Sequence, residues 1–137
     1  MTDNSIIRET AAMIAGMTPL LRDGLFIFCG TDDPALAAGC HADALAMLVE
    51  PEGWSFILPL DKAAGLGFDC ALPMRQITLS VLSALDGVGL TAAVATALAR
   101  RGIACNMVAA NRHDHVFVPA ERAEEAMAAL LALQAGR

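Results

Sequence analysis

The chain has 137 residues, of which 56% are hydrophobic and 18% charged, with a formal net charge of −6. That length suits one domain, or two small repeats sharing a core. The acidic balance argues against nucleic acid or an anionic membrane surface as partner, since either needs a basic patch, and no unbroken apolar run approaches the roughly 20 residues of a spanning helix.

The amino end, Met1-Thr-Asp-Asn-Ser5, is polar and acidic where an export signal would be basic and then apolar, so a cytoplasmic protein is expected. Cys29, Cys40, Cys70 and Cys105 form no Cys-x-x-Cys pair and read as free thiols in the core. Much of the apolar content is alanine, so Trp54 and the phenylalanines at 26, 28, 56, 68 and 117 should carry much of the packing.

In chain order, Ser5 is placed to cap a helix with apolar positions Ile6, Ile7, Met13, Ile14 and Met17, stopped by Gly16 and Pro19. Leu25-Phe-Ile-Phe-Cys29 has no polar alternation and predicts a strand buried on both faces. Gly30 to Pro34 is turn chemistry, leaving Ala35–Gly39 at most one helical turn. Glu50-Pro-Glu-Gly53 predicts a tight turn joining Ala42–Val49 to Trp54–Leu58 as a hairpin. Asp61 then caps a short helix from Lys62 to Leu66.

In the second half, Arg75 to Leu82 alternates Ile77, Leu79 and Val81 with Gln76, Thr78 and Ser80, a strand with one wetter face. The helical spacing of Leu90, Val94, Ala97, Leu98 and Arg101 ends at Gly102, which suits a left-handed C-terminal position. Ile103–Ala110 and Val116–Val118 flank Asn111 to His115 as a second hairpin. Pro119 opens a last helix whose buried stripe is Ala123, Met127, Leu130 and Leu133 or Gln134. The two halves, 1–70 and 71–137, echo each other in element order but not residue by residue.

Groups for catalysis are sparse. Ser80 and Ser83 have no evident base, Gly-x-Ser-x-Gly is absent, and Gly87-Val-Gly89 lacks the third glycine of a dinucleotide loop and the lysine of a phosphate loop. His113 and His115 share a face if extended. They read as turn residues, as a polar interface site or, more remotely, as part of a metal-dependent enzyme. No cofactor is expected and the chain reads as a non-enzyme.

Asp86-Gly-Val-Gly89-Leu90, followed by Leu98 and then by Arg101-Gly102-Ile103, resembles the loop and first helix of the ACT domain. Leu90-Thr-Ala-Ala-Val94, Asn106 and His113-Asp-His115, together with Met17-Thr-Pro-Leu20 and Gly24 to Cys29, are similar to a small bacterial group with two such units and no catalytic domain. The resemblance implies an α+β fold of ferredoxin-like βαββαβ units, two in number with one degenerate, sharing strands, with antiparallel sheets and helices on one face. The second half lacks its last strand, and Leu25–Cys29 is expected to supply it.

The resemblance also implies a regulatory protein that binds a small molecule, an amino acid by analogy, and forms a homodimer. The ligand would meet the backbone N–H groups of Gly87, Val88, Gly89 and Leu90 with its carboxylate and Asp86 with its ammonium, while Asn106 adds an amide. A structural module that dimerises without a ligand is the alternative.

Overall fold

The computed structural model describes residues 9–80 and 88–137. Its elements are α1 (Thr10–Gly16), β1 (Pro19–Leu21), β2 (Phe26–Thr31), α2 (Pro34–His41), β3 (Ala46–Glu50), β4 (Gly53–Pro59), α3 (Leu60–Gly65), β5 (Met74–Leu79), α4 (Leu90–Ala99), β6 (Asn106–Ala109), β7 (Asp114–Pro119) and α5 (Ala123–Gln134). A 3₁₀ turn, Ala120–Arg122, leads into α5.

These elements form two units that do not follow sequence order. One comprises Met1–Arg22 with Arg75–Arg137, and the other Asp23–Met74. Thus α1 and β1, which sequence order places in the first half, fold with the carboxy-terminal half.

In the discontinuous unit, β5 runs between β1 and β7, and β6 pairs with β7. Ile77 and Leu79 of β5, with Val116 and Val118 of β7, point to one face. There they pack with Leu90, Val94 and Leu98 of α4, Ala126 and Leu130 of α5, and Met13 and Met17 of α1. At the end of α4, Gly102 adopts φ +67° while Ile103 N–H reaches back to the Leu98 carbonyl at 3.0 Å, as its sequence position predicts.

The extra strand differs from expectation. Leu25–Cys29 contributes a single β5 pair, Phe26 with Met74, whereas Pro19, Leu20 and Leu21 pair in turn with Leu79, Thr78 and Ile77. Pro19 marks a helix stop in the sequence. Here it also begins an edge strand, a place where its missing N–H costs no ladder bond.

In the continuous unit, β2 pairs with β4 over six residues and β4 pairs with β3. Ile27, Ala37, Cys40, Phe56, Leu58 and Ala63 form its core, with Trp54 and Phe68 packed at the margin. Because α2 and α3 contribute to one core cluster, β2 is not buried on both faces as expected: Ile27 is buried and Phe28 is exposed.

Helix α2 is longer than the single turn expected. Asp33 Oδ1 accepts from Ala35 N–H at 3.0 Å and Pro34 fits the first helical position, so the turn residues are themselves the helix start. The first cap falls on Glu9, whose carboxylate oxygens accept from Ala11 and Ala12 at 3.2 and 2.9 Å; Ser5 lies outside the described residues. Asp61 lies inside α3 rather than at its cap, which is Pro59. No described helix is long and apolar enough to cross a membrane.

Candidate functional site

Of the six sequence-predicted site residues, Asp86 and Gly87 lie outside the described residues, and Val88, Gly89, Leu90 and Asn106 lie within them. Gly89 is the N-terminal cap of α4 with φ +105° and offers no side chain to the first turn. Among the described residues no side chain caps the opening N–H groups of this helix. Leu90 is only 4% exposed and belongs to the core, so its N–H can serve a ligand while its side chain cannot. Val88 is 76% exposed beside it.

A residue that sequence reasoning missed meets this loop. The Thr10 hydroxyl, at the start of α1, donates to the Val88 carbonyl. A Cβ at Gly89 would lie 2.7 Å from Thr10 Cγ2 and 2.8 Å from its Oγ1. The 78-residue separation of Thr10 and Val88 leaves no local sequence signal.

Asn106 is not brought to the loop by the strand register. It pairs with Phe117, while Val108 pairs with His115, whose ring contacts Thr78 and Gln76. With the sheet antiparallel, Asn106 stands further toward the Met74 end of β5 than His115 does, and the loop leaves from the Leu79 end.

His115, on β7, lies on the sheet face away from α4 and α5, opposite to Val116. His115 Nδ1 lies 3.1 Å from both the Gln76 amide nitrogen and the Thr78 hydroxyl. With the Gln76 amide donating, Nδ1 accepts and the neutral ring carries its proton on Nε2. Gln76 and Thr78 are each only 7% exposed, so the face expected to be wetter is buried.

Burial holds the His115 pKa below the ordinary histidine value, reinforced by His113 and Arg22 and opposed by Asp114. Burial raises the Asp114 pKa against the pull of both histidines. The two rings lie edge to face at 6.5 Å, and His113 Nδ1 is buried without a hydrogen-bond partner among the described residues. No group of three or more His, Cys, Asp or Glu there is arranged to hold a metal ion.

The continuous unit carries an open cavity of about 230 Å³ lined by Gly30, Thr31, Asp32, Glu50, Glu52, Gly53, Trp54 and Ser55. The Ser55 hydroxyl donates to Glu50 Oε1. Three acids and no base make this cavity unsuited to a carboxylate. All four thiols are free; burial raises Cys29 to about 11, helped by Cys40 and Cys70, and also raises Cys40 and Cys105.

Two family models described as ACT domain match the chain, one over residues 7–75 and one over 72–132. Among solved structures, a Vibrio cholerae protein described as of unknown function and a possible transport protein is 35% identical, covering 90% of this chain and 94% of that one, with a TM-score of 0.79. An Agrobacterium tumefaciens protein matches at 16% identity over 86% of this chain and 89% of its own, with a TM-score of 0.64. The regulatory subunit of aspartate kinase from Thermus flavus matches at 17% identity over 86% of this chain and 96% of its own, with a TM-score of 0.56. No curated protein matches the sequence.

Proposed function

Because the chain belongs to the ACT domain family, we propose that it is a regulatory module that binds a small amino acid at the loop Asp86–Leu90 and has no catalysis of its own. A ligand-binding regulatory role accords with the ACT matches and with the aspartate kinase regulatory subunit among the structural neighbours. The amino acid, the cytoplasmic location and a homodimer are the finer parts of this reading.

The observation that carries it is Gly89 at the start of α4, a cap with φ +105° and no side chain to satisfy the first-turn N–H groups. A carboxylate is the ligand group those donors suit. Asp86, three residues earlier in sequence, is the proposed partner for an ammonium. Asn106 is left out of the contact set on the strand register given above.

The test is a thermal-shift panel of the common amino acids with the full chain. One of them should raise Tm progressively with concentration, because a ligand at about 100 times its Kd stabilises the native state by roughly 2.7 kcal/mol. The same ligand should fail to shift Asp86→Ala. A complete panel with no shift overturns the ligand reading.

The exposed apolar residues of β3 favour a second reading, a module that acts by association. The two readings are compatible, since β3 and the loop belong to different units.

A further inference from the structure

One face of the discontinuous unit's sheet gathers basic side chains that the proposed function leaves unused. Leu20 pairs with Thr78 and Leu21 with Ile77, and the Arg22 N–H continues that register by donating to the Gln76 carbonyl at 2.9 Å. Residues two apart on a strand share a face, as do paired residues on neighbouring strands. Arg22 therefore rises beside Gln76, on the side of β5 opposite to Ile77 and Leu79, whose side chains enter the helix-covered core. His115 rises on the same side from β7, with Nδ1 at 3.1 Å from both the Gln76 amide nitrogen and the Thr78 hydroxyl. His113 joins it, the two rings edge to face at 6.5 Å.

Strands β1 and β7 flank β5. Arg22 and His115 thus start from backbones about 10 Å apart, two strand spacings, with the buried Gln76 and Thr78 as the floor between them. What these side chains offer is donors. The Arg22 guanidinium has N–H groups only, and among the described residues it has no ion pair. His115 uses Nδ1 to accept from Gln76, which leaves Nε2–H to donate elsewhere. The His113 Nδ1 is buried with no partner among the described residues, a cost that a ligand atom placed there would recover.

A metal ion does not suit these groups. The His115 lone pair on Nδ1 is already taken, and Arg22 repels a cation. The acid coupled to the two rings, Asp114, alternates with His115 along β7 and rises from the other face.

We infer that Arg22, His113 and His115 form an anion site, separate from the Asp86–Leu90 loop, that takes a phosphate group, free or as a monoester. A tetrahedral phosphate presents acceptor oxygens in several directions, and its donors here come from three: the Arg22 fork, the His115 Nε2–H and the His113 Nδ1–H tautomer. A planar carboxylate has two oxygens for the same three donors. The formal net charge of −6 repels such a ligand from the chain as a whole, so binding depends on these three side chains.

Binding should also move a proton. Burial, His113 and Arg22 hold the His115 pKa low against the pull of Asp114, and a bound dianion favours the charged ring. The Thr78 hydroxyl, 3.1 Å away, can then accept from Nδ1–H.

Proton–nitrogen correlation spectra of the histidine rings, recorded on the full chain near neutral pH, would test the site. Inorganic phosphate is titrated in at an ionic strength held constant with sodium chloride. The His113 and His115 signals should move and saturate, with half-saturation on the order of 1 mM or tighter, and the His115 pKa should rise. His41, the third histidine, lies in the other unit and should not respond. Arg22→Gln should weaken binding by about tenfold or more, the share of a charge-assisted hydrogen bond. Arg100→Gln removes the same charge at the exposed end of α4 and should bind as the native chain does, both variants keeping the native far-UV spectrum. Phenyl phosphate acting as strongly as inorganic phosphate assigns a monoester, and a response to inorganic phosphate alone assigns the free anion. Histidines that ignore phosphate, or that answer equally to chloride, overturn this site and leave the loop reading standing. Equal weakening by the two arginine variants reduces the effect to net charge and overturns it too. Asp86→Ala should leave the response intact; its loss there would move the anion to the loop and away from this face.

Discussion

Replacing Gly89 with alanine separates two costs at the loop. The first is backbone conformation: Gly89 holds φ +105°, where a side chain adds about 1–2 kcal/mol of strain. The second is contact. The new Cβ would stand 2.7 Å from Thr10 Cγ2, well inside the roughly 3.5–4.0 Å of a comfortable carbon pair. Thr10 must turn away, and its hydrogen bond to the Val88 carbonyl is lost, at about 1 kcal/mol. The sum is about 2–3 kcal/mol.

Gly102 provides the control. It also holds a positive φ, +67°, but a Cβ there meets nothing within 4 Å, so Gly102→Ala should show the backbone cost alone. Urea unfolding followed by far-UV circular dichroism would measure both. Gly89→Ala should exceed Gly102→Ala by roughly 1 kcal/mol, and adding Thr10→Ala should remove most of that excess, a coupling of similar size. Equal effects of the two glycine substitutions, or strict additivity with Thr10→Ala, would refute the claim that Thr10 closes on the loop.

Other expectations follow from one buried side chain and one helix cap. Leu98→Ala, at a fully buried position on α4, should cost about 3 kcal/mol of unfolding free energy in the same assay. Asp33→Ala removes the α2 cap and should cost about 1 kcal/mol.

For His115, whose folded pKa is depressed, the unfolded chain binds the proton more readily. Its contribution is complete above the unfolded value near 6.5 and is lost as pH falls from there through the lower folded value. The raised Asp114 acts oppositely at lower pH: the folded state takes up its proton first, so that group adds stability as pH falls toward 3.8. Urea midpoints between pH 7.5 and 5.5 should therefore fall more steeply for the native chain than for His115→Gln. At pH 8 the Cys29 thiol, raised to about 11, should alkylate far more slowly in the folded chain than in urea, as mass spectrometry of the labelled peptide would show.

The sequence was informative where a residue's role is local. Gly102 ending α4, the Glu50–Gly53 turn and the alternation of Ile77 and Leu79 are each readable from a few neighbours, and each element formed. What failed depended on partners distant in sequence. Phe28 is apolar yet exposed, because the helices of its unit cover only one face. Gln76 and Thr78 look solvent-facing by alternation, but they are buried and share His115. Pro19–Leu21 is too short and too close to a helix stop to announce a strand, and Ile77–Leu79 is what makes it one. At the candidate site, Gly89 was legible from the motif and Thr10 was not. Asn106 was placed near the loop by family analogy, which carries no information about strand register.

The pairing of Pro19–Leu21 with β5 bears on how the chain is made. A ribosome releases α1 and β1 first, yet their partners in β5, α4 and α5 emerge only after the whole of Asp23–Met74. The intervening unit has its own core and can close while synthesis continues, whereas Met13 and Met17 must wait, uncovered, until Leu130 has left the tunnel. An early pause in elongation would thus leave two apolar side chains available to chaperones. Closing the last unit also carries the entropy of a loop more than fifty residues long, a slow step that a circularly permuted chain opened between Leu21 and Asp23 would avoid.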